Sequence, residues 1–389
     1  MSASFKNQKE PAYATPQLKF LEEPDGNLRF RLSGVNVSLA NSLRRTILND
    51  IPSYALDADH KCRMDINSSR LHNEILKHRL TCIPVHQVVV LSKTGTETSD
   101  GDEDILANCA VEIDVQNDTE STMHITTADF KVRDKKTGQY LVADRVAELF
   151  PKCDQTNAHI VFARLRPRIS DAIPGERIKL TCEFSIKTAG DSSAFSAVST
   201  CAYMNTIDEE KAADAWKEQE AKLASEGTEK EDIAFQKRNF QLLDRQRHFA
   251  ADSFDFIVES VGVYSNRALV KMACAIIKQQ FDAILAALDA NESTILRSAT
   301  TMDHCFDYIL DRGDYTIGPV IEYFIYSRYF LAEKTLSYCG FKKFHPHETS
   351  STIRAAFKEP AEREDMRNVI QQACLMAKQF YVDLYKMNL

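Results

Sequence analysis

No two of the 10 cysteines stand at CxxC spacing; they are scattered as Cys62, Cys82, Cys109, Cys153, Cys182, Cys201, Cys274, Cys305, Cys339 and Cys374. Such spacing argues against a zinc knuckle and a disulfide framework, and predicts buried free thiols in a reducing compartment. No apolar run approaches membrane-spanning length. The opening "MSASFKNQKEPAYATPQ" is polar and lacks the apolar core of a signal peptide, so the sequons at Asn67 and Asn117 carry no weight. A Gly-rich phosphate loop and a GxSxG elbow are also missing. Positive charge is in deficit: 48 Lys+Arg against 56 Asp+Glu leave a net charge of -8. A general polyanion-binding surface is therefore not expected, and a soluble acidic protein with protein partners is.

What is present suffices for two or three domains: 389 residues, 44% apolar and 27% charged. Residues 1–17 read as a mobile tail. "LKFLEEPDGNLRFRLSG" gives two strands around a Pro-Asp-Gly-Asn turn. "LANSLRRTILNDIPSYA" lies on a helix predicted from about Val37 to Asp50, with Leu39, Leu43 and Ile47 on one stripe. Asn36 or Ser38 can cap it and Pro52 forbids its continuation. Asn41, Arg45 and Asn49 fall on the opposite face, with Arg44 at the flank. From about 67 to 178 the chain is β-rich, with one short helix at "HNEILKHRLTCIP". Between Ile207 and Asp252 it is charged and helical in pattern, a solvated insertion.

The order of elements then repeats. Strand "DSFDFIVESVGV" precedes a long helix with Leu269, Met272, Ile276, Ile277, Ile284 and Leu288 at three- and four-residue spacing. Strands "TILRSATT" and "HCFDYIL" follow the connector "DANES". Asp314, Tyr315 and Thr316 can cap a helix carrying Ile317, Val320, Ile321 and Phe324, with Pro319 in its first turn. Two more strands lead to a final helix bearing Met366, Val369, Ile370, Ala373, Met376, Phe380, Leu384 and Met387. Strands, capped helix, strands, long helix therefore occur twice, a pseudo-duplication.

Candidate chemistry is sparse. "SDGDED" at Ser99–Asp104 clusters four acids but has no apolar anchors to fix a metal site. Cys339, His345 and His347 lack a fourth zinc ligand. Arg44 and Arg45 leave two readings open: helix-surface charges facing water, or guanidiniums placed to grip a partner's carboxylates or carbonyls.

Several stretches resemble one family, the α-type assembly subunits of multisubunit RNA polymerases: the bacterial α N-terminal domain, the archaeal D-type protein and the third-largest subunit of eukaryotic polymerase II. "LANSLRRTILNDIPSYAL" resembles its signature helix. "LHNEILKHRLTCIPV" resembles its next block through His78, Arg79, Leu80, Ile83 and Pro84. "SSAFSAVSTCAYMN" resembles its Ser-Pro-Val strand, with Ala197 in place of the proline. "SFDFIVESVGVYSNRALVKMACAIIKQQFDAIL" is similar to its terminal strand and dimerisation helix. The second copy resembles the small partner, the archaeal L-type protein or the eleventh subunit of polymerase II, through Asp314, Thr316 and Gly318 and through Gly340, Phe341, His345 and Pro346. Pro319, Glu322 and Tyr323 depart from the polar and basic residues common there.

The resemblance implies an α+β fold of two dimerisation modules, each an antiparallel sheet with two helices, pairing within one chain. The first module is expected at 18–66 and 179–290, with the charged insertion at about 207–252; the inserted β-rich domain at 67–178; the second module at 291–389. Pairing is expected through Leu39, Leu43, Ile47, Leu269, Met272, Ile276, Ile317, Ile321, Phe324, Ile370, Ala373 and Phe380. Docking four helices buries about a dozen large side chains at roughly 1.5–3 kcal/mol each, offset by ordering, which suits an obligate interface. The five-residue connector spans at most ~18 Å, making the pairing intramolecular.

Contacts to large subunits are expected from Asn41, Arg44, Arg45, His78 and Arg79. The implied partners are the largest and second-largest polymerase subunits and a small tenth-subunit-like adaptor, without sequence-specific DNA binding or membrane contact. No catalytic residue is expected. Neither zinc nor an iron–sulfur site is expected, and magnesium belongs to the large catalytic subunit. A single-chain pair resembles polymerases of large cytoplasmic DNA viruses, implying virion and host cytoplasm; a cellular source would imply the nucleus. The rival readings are a stand-alone metal-dependent enzyme, resting on the acidic loop or Cys339, and a DNA-binding protein, resting on Arg44 and Arg45.

Overall fold

The computed structural model describes residues 16–89, 91–92, 95–96, 105–170, 172–290, 294–311 and 313–387. The acidic loop Ser99–Asp104 and residues 1–15 of the expected tail lie outside them. In chain order, β1 (Gln17–Glu22) and β2 (Asn27–Ser33) lead into α1 (Val37–Asn49), β3 (Ser53–Leu56), α2 (Ala58–Lys61), β4 (Cys62–Asn67) and α3 (Asn73–Thr81). Next come β5 (Leu91–Ser92), β6 (Gly95–Thr96), β7 (Cys109–Gln116), β8 (Met123–Thr126), β9 (Lys131–Asp134), α4 (Ala143–Leu149), β10 (Val161–Leu165) and β11 (Arg177–Lys187). Then follow β12 (Val198–Ile207), α5 (Glu209–Ser225), α6 (Lys230–Leu242), β13 (Phe249–Ser260) and α7 (Asn266–Asp289). The chain continues through β14 (Thr294–Arg297), β15 (Cys305–Leu310), α8 (Gly318–Ile325), β16 (Leu336–Lys342), β17 (Ser351–Phe357) and α9 (Arg363–Lys386).

Contacts divide the chain into two compact units. One comprises Met1–Thr46, Thr200–Glu259 and Ala273–Leu389; the other comprises Ile47–Ser199 and Ser260–Met272. The limits fall inside α1, β12, β13 and α7.

The first unit holds two four-stranded antiparallel sheets, ordered β1-β2-β13-β12 and β14-β15-β17-β16. Counted along each repeat, both read first, second, fourth, third strand, with a helix after the second and another after the fourth. Alternation drives the first sheet: Leu28, Phe30 and Leu32 of β2 are fully buried while Arg29 faces out. Phe30 stacks on Phe256, its cross-strand partner, at 4.9 Å. The middle strands of both sheets carry a bidentate ion pair in register, with opposite polarity. Arg31 on β2 bonds Asp255 on β13 at 2.6 and 3.0 Å; Asp307 on β15 accepts from Arg354 on β17 at 2.6 and 2.7 Å. The charged insertion forms α5 and α6, joined by Trp216 against Phe240 at 5.5 Å.

The second unit is built on β11, which pairs with β7 on one side and with β4 and then β3 on the other; β9 extends the sheet beyond β7. Its core gathers Leu56, Leu76, Leu80, Val111, Phe130, Phe150, Phe162 and Leu180. Among the described residues no helix is long and apolar enough to cross a membrane.

Candidate functional site

The first unit places α1, α8 and α9 together with the C-terminal part of α7. Helix α1 opens on an Asx turn in which the Ser38 amide donates to Asn36 Oδ1 at 2.9 Å. Leu39, Leu43 and Ile47 are buried, and so are the small Ser42 and Thr46. Adjacent helical residues point about 100° apart, and the two arginines diverge accordingly. Arg44 turns back on its own helix, donating to Asn41 Oδ1 from Nε at 3.2 Å and from a terminal nitrogen at 2.9 Å. It lies near β12, where burial pushes the Cys201 thiol up to about 12 and the Arg44 charge pulls the other way.

Arg45 reaches the second repeat. Its terminal nitrogen donates to Asp314 Oδ2 at 2.6 Å and its Nε to Thr316 Oγ1 at 2.9 Å. The Asp314 carboxylate meanwhile closes an Asx turn just ahead of α8, accepting the Thr316 amide on Oδ1 at 2.7 Å, while the N-cap position itself, Ile317, has no side-chain capping bond. Burial would raise the Asp314 carboxyl, but the hydrogen bonds from Thr316 and Arg45 hold it below the ordinary carboxylate value. The Gly318 amide donates to the Asp314 carbonyl at 3.1 Å, as the Ala40 amide does to Asn36 at 3.3 Å. Glycine is required at 318: a Cβ there would stand 2.0 Å from the Phe341 ring of β16.

Helix α9 closes on α1 and α7. Tyr381 is fully buried, its hydroxyl donating to the Leu39 carbonyl of α1 at 3.2 Å and its ring stacked on Phe281 of α7 at 6.3 Å. Burial raises its phenol strongly. Lys378 pairs with Asp282 at 2.5 Å. Arg367 donates to the Leu288 and Asp289 carbonyls, and Gln371 to Asp289 Oδ1 at 3.0 Å. The C-terminal end of α7, where the dipole leaves carbonyls bare, is thus held by a cation from α9.

Of the residues expected to pair, Leu39, Leu43, Ile276, Ile317, Ile321, Phe324, Ile370, Ala373 and Phe380 are buried within the first unit; Ile47 and Leu269 are buried, and Met272 half-buried, in the second. Two of the residues assigned to large-subunit contacts are otherwise engaged. Arg45, expected on an outward polar face, is ion-paired to Asp314, because the second repeat brings a carboxylate against that face. Arg79 donates to the Phe162 and Val161 carbonyls at 2.6 and 2.9 Å, fastening α3 to β10. His78 is exposed and Asn41 half-buried. Sequence reasoning passed over Tyr381, Lys378, Ser42 and Thr46; Tyr381 follows Cys374 and Ala377 at helical spacing, and that was the available signal. Among the described residues no three His, Cys, Asp or Glu side chains gather as a metal group.

Residues 29–281 match the model of the RNA polymerase Rpb3/Rpb11 dimerisation domain. The chain is 25% identical over 301 residues to "DNA-directed RNA polymerases IV and V subunit 3B" of Arabidopsis thaliana, covering 69% of this chain and 90% of that one. It is 42% identical over 69 residues to "DNA-directed RNA polymerase subunit Rpo3" of Pyrococcus furiosus, covering 18% and 25%. It is 31% identical over 119 residues to "DNA-directed RNA polymerases II, IV and V subunit 3" of Arabidopsis thaliana, covering 29% and 36%. The chain thus spans nine-tenths of the first of these relatives, a quarter of the second and about a third of the third.

Proposed function

The chain belongs to the RNA polymerase Rpb3/Rpb11 dimerisation domain family, and on that premise we propose that it is a non-catalytic assembly subunit of a multisubunit DNA-directed RNA polymerase, carrying both halves of the dimerisation pair on one polypeptide. The observation that supports the single-chain pair is the repeat: the two sheets share one strand order, each with a helix after its second strand and a long helix after its fourth. The family match ends at residue 281, so the reading of 291–389 as the eleventh-subunit-like half rests on that repeat. Residues 18–66 and 179–290 form the third-largest-subunit-like half, and 67–178 its inserted domain.

Arg45 works in the seam, not in recruitment. Arg44, Asn41 and His78 remain for the large subunits: among the described residues no carboxylate pairs with Arg44, which leaves its charge available to a partner's acid or carbonyl. The partners are the largest and second-largest subunits and a tenth-subunit-like adaptor. Magnesium-dependent nucleotide addition is theirs, and this chain holds no metal of its own. A single-chain pair fits a virally encoded polymerase working in virion and host cytoplasm.

Recovery of the tagged chain from its native source, followed by mass spectrometry of what accompanies it, tests the reading. The expected result is both large subunits with no separate eleventh-subunit-like protein. Arg44→Ala is expected to leave the chain folded and to cut large-subunit recovery at least tenfold. Recovery of a separate small partner refutes the single-chain pair; absence of large subunits refutes the assembly role.

A further inference from the structure

Cys62 on β4 and Cys182 on β11 stand directly opposite each other in antiparallel register, between the Thr181–Arg63 pairing and the end of the ladder. Opposed residues in such a ladder have Cα atoms roughly 4.5–5.5 Å apart, inside the ~4.4–6.8 Å reach of a disulfide. Both are free thiols, and Cys182 Sγ donates to the Glu183 carbonyl at 3.7 Å. The two thiols are unequal in access: Cys62 is half-buried and Cys182 has no exposed surface.

We propose that Cys62 and Cys182 form a redox-active dithiol, with Cys62 the attacking thiol and Cys182 the resolving one, oxidised by small-molecule disulfides. The neighbouring Cys182 thiol lowers the Cys62 thiol, burial opposes this, and the Lys77 charge on α3 assists. The same contact together with burial raises Cys182, which keeps its proton until the second step. The Cys62 thiolate attacks one sulfur of the oxidant, forming a mixed disulfide and releasing one thiolate. Cys182 passes its proton to that thiolate and attacks the Cys62 sulfur, closing the Cys62–Cys182 bond and expelling the second thiolate. That thiolate takes up the proton Cys62 had lost to solvent. Two protein thiols lose two electrons, and one disulfide is reduced to two thiols. The new bond fixes β4 to β11 and with it the turn into α3.

Cys82 and Cys153 are exposed and serve as internal controls: among the described residues each stands without an opposed thiol and can only retain the oxidant as an adduct. The full chain is incubated with oxidised glutathione over graded redox ratios, then digested without reduction and mapped by mass spectrometry. The expected product is the Cys62–Cys182 cross-linked peptide, about 2 Da below the sum of its reduced parts, while Cys82 and Cys153 carry glutathione. Cys182→Ser is expected to leave a glutathione adduct on Cys62. Because that change places a hydroxyl in a core strand, the mapping of the unsubstituted chain stands by itself. A lasting Cys62 adduct there, or reaction at Cys82 and Cys153 with Cys62 and Cys182 both left reduced, overturns the proposal.

Discussion

Removing the Arg45 side chain tests the seam at the charged crossing point between α1 and the turn that leads into α8. Arg45→Ala deletes the 2.6 Å ion pair to Asp314 and the 2.9 Å bond to Thr316. Side-chain exposure of 26% and 38% places the pair between surface ion pairs, worth about 0.2–1 kcal/mol, and hydrogen bonds to charged groups, worth about 1.5–3 kcal/mol. A coupling of about 1–2 kcal/mol follows from those bounds. Asp314→Ala should cost more than Arg45→Ala, since it also removes the Asx-turn bond from the Thr316 amide, worth about 0.5–1.5 kcal/mol. The double-mutant cycle isolates the shared part. Hydrogen exchange of the α8 amides in low urea reads it locally, which avoids treating two units as one transition. The pH dependence has a definite sign. The folded Asp314 carboxyl lies below its ordinary value, so its stabilisation is complete above the unfolded value near ~3.9 and is lost as pH falls through the folded one. The coupling should hold between pH 7 and 5 and fade only below about 4. A coupling under about 0.3 kcal/mol, within the additivity limit for independent sites, or one that fades between pH 7 and 5, refutes the clasp.

Two further substitutions probe the same unit. Gly318→Ala forces a methyl group to within 2.0 Å of the Phe341 ring and should destabilise by about 1–3 kcal/mol, measured by urea unfolding; an unchanged midpoint would mean that β16 yields freely. Tyr381→Phe keeps the stacking on Phe281 but removes the hydroxyl's bond to the Leu39 carbonyl, at about 1 kcal/mol. Faster exchange of α1 and α9 amides should report it, and unchanged exchange would count against Tyr381 as a link between the helices.

The faces of the helices were legible from the sequence, and their destinations were not. Periodicity put Leu39, Leu43 and Ile47 on one stripe because burial repeats with the helical turn, and Asp314-x-Thr316 announced a turn ahead of α8 because an Asx turn is local, although the cap expected there falls at Ile317 without a side-chain bond. Arg45 finds its acid 269 positions away, and no local pattern encodes that distance. For a helix met alone the opposite face of α1 left water or a partner subunit as its two readings; a second repeat in the same chain supplied the counter-charge for Arg45. Ser42 and Thr46 were passed over because small hydroxyl residues score as polar, although they are fully buried here. Cys62 and Cys182 read as scattered because strand register, unlike helical spacing, is set by partners remote in the chain. The π-helical turn Tyr326–Ala332 that prolongs α8, with Tyr326 stacked on Phe330 at 4.9 Å, had no signature in the apolar pattern.

The two repeats are alike enough to align and different enough to fix which half meets which. Matching the Asx-turn residues Asn36 and Asp314 brings Leu39, Leu43 and Ile47 over Ile317, Ile321 and Ile325, and Ala40 over Gly318, so the apolar stripe is common property. The polar positions are not shared: Asn41, Arg44 and Arg45 fall over Pro319, Glu322 and Tyr323. In a symmetric pair each contact occurs twice, so two first halves would set Arg45 against the neutral Asn36, and two second halves would set Tyr323 against Asp314. Only the mixed pair joins a guanidinium to a carboxylate. Because a like pair forfeits the ion pair, the divergence disfavours exchange with a second chain while the stripe supplies the adhesion. The polarity of the cross-strand pairs, Arg31 with Asp255 in one sheet and Asp307 with Arg354 in the other, shows the same economy: each sheet closes its own charge internally. Between the halves the ion pairs include Arg45 with Asp314 and Lys378 with Asp282, and a charge-swapped Arg45→Asp, Asp314→Arg chain should recover part of the α8 protection that either single change loses.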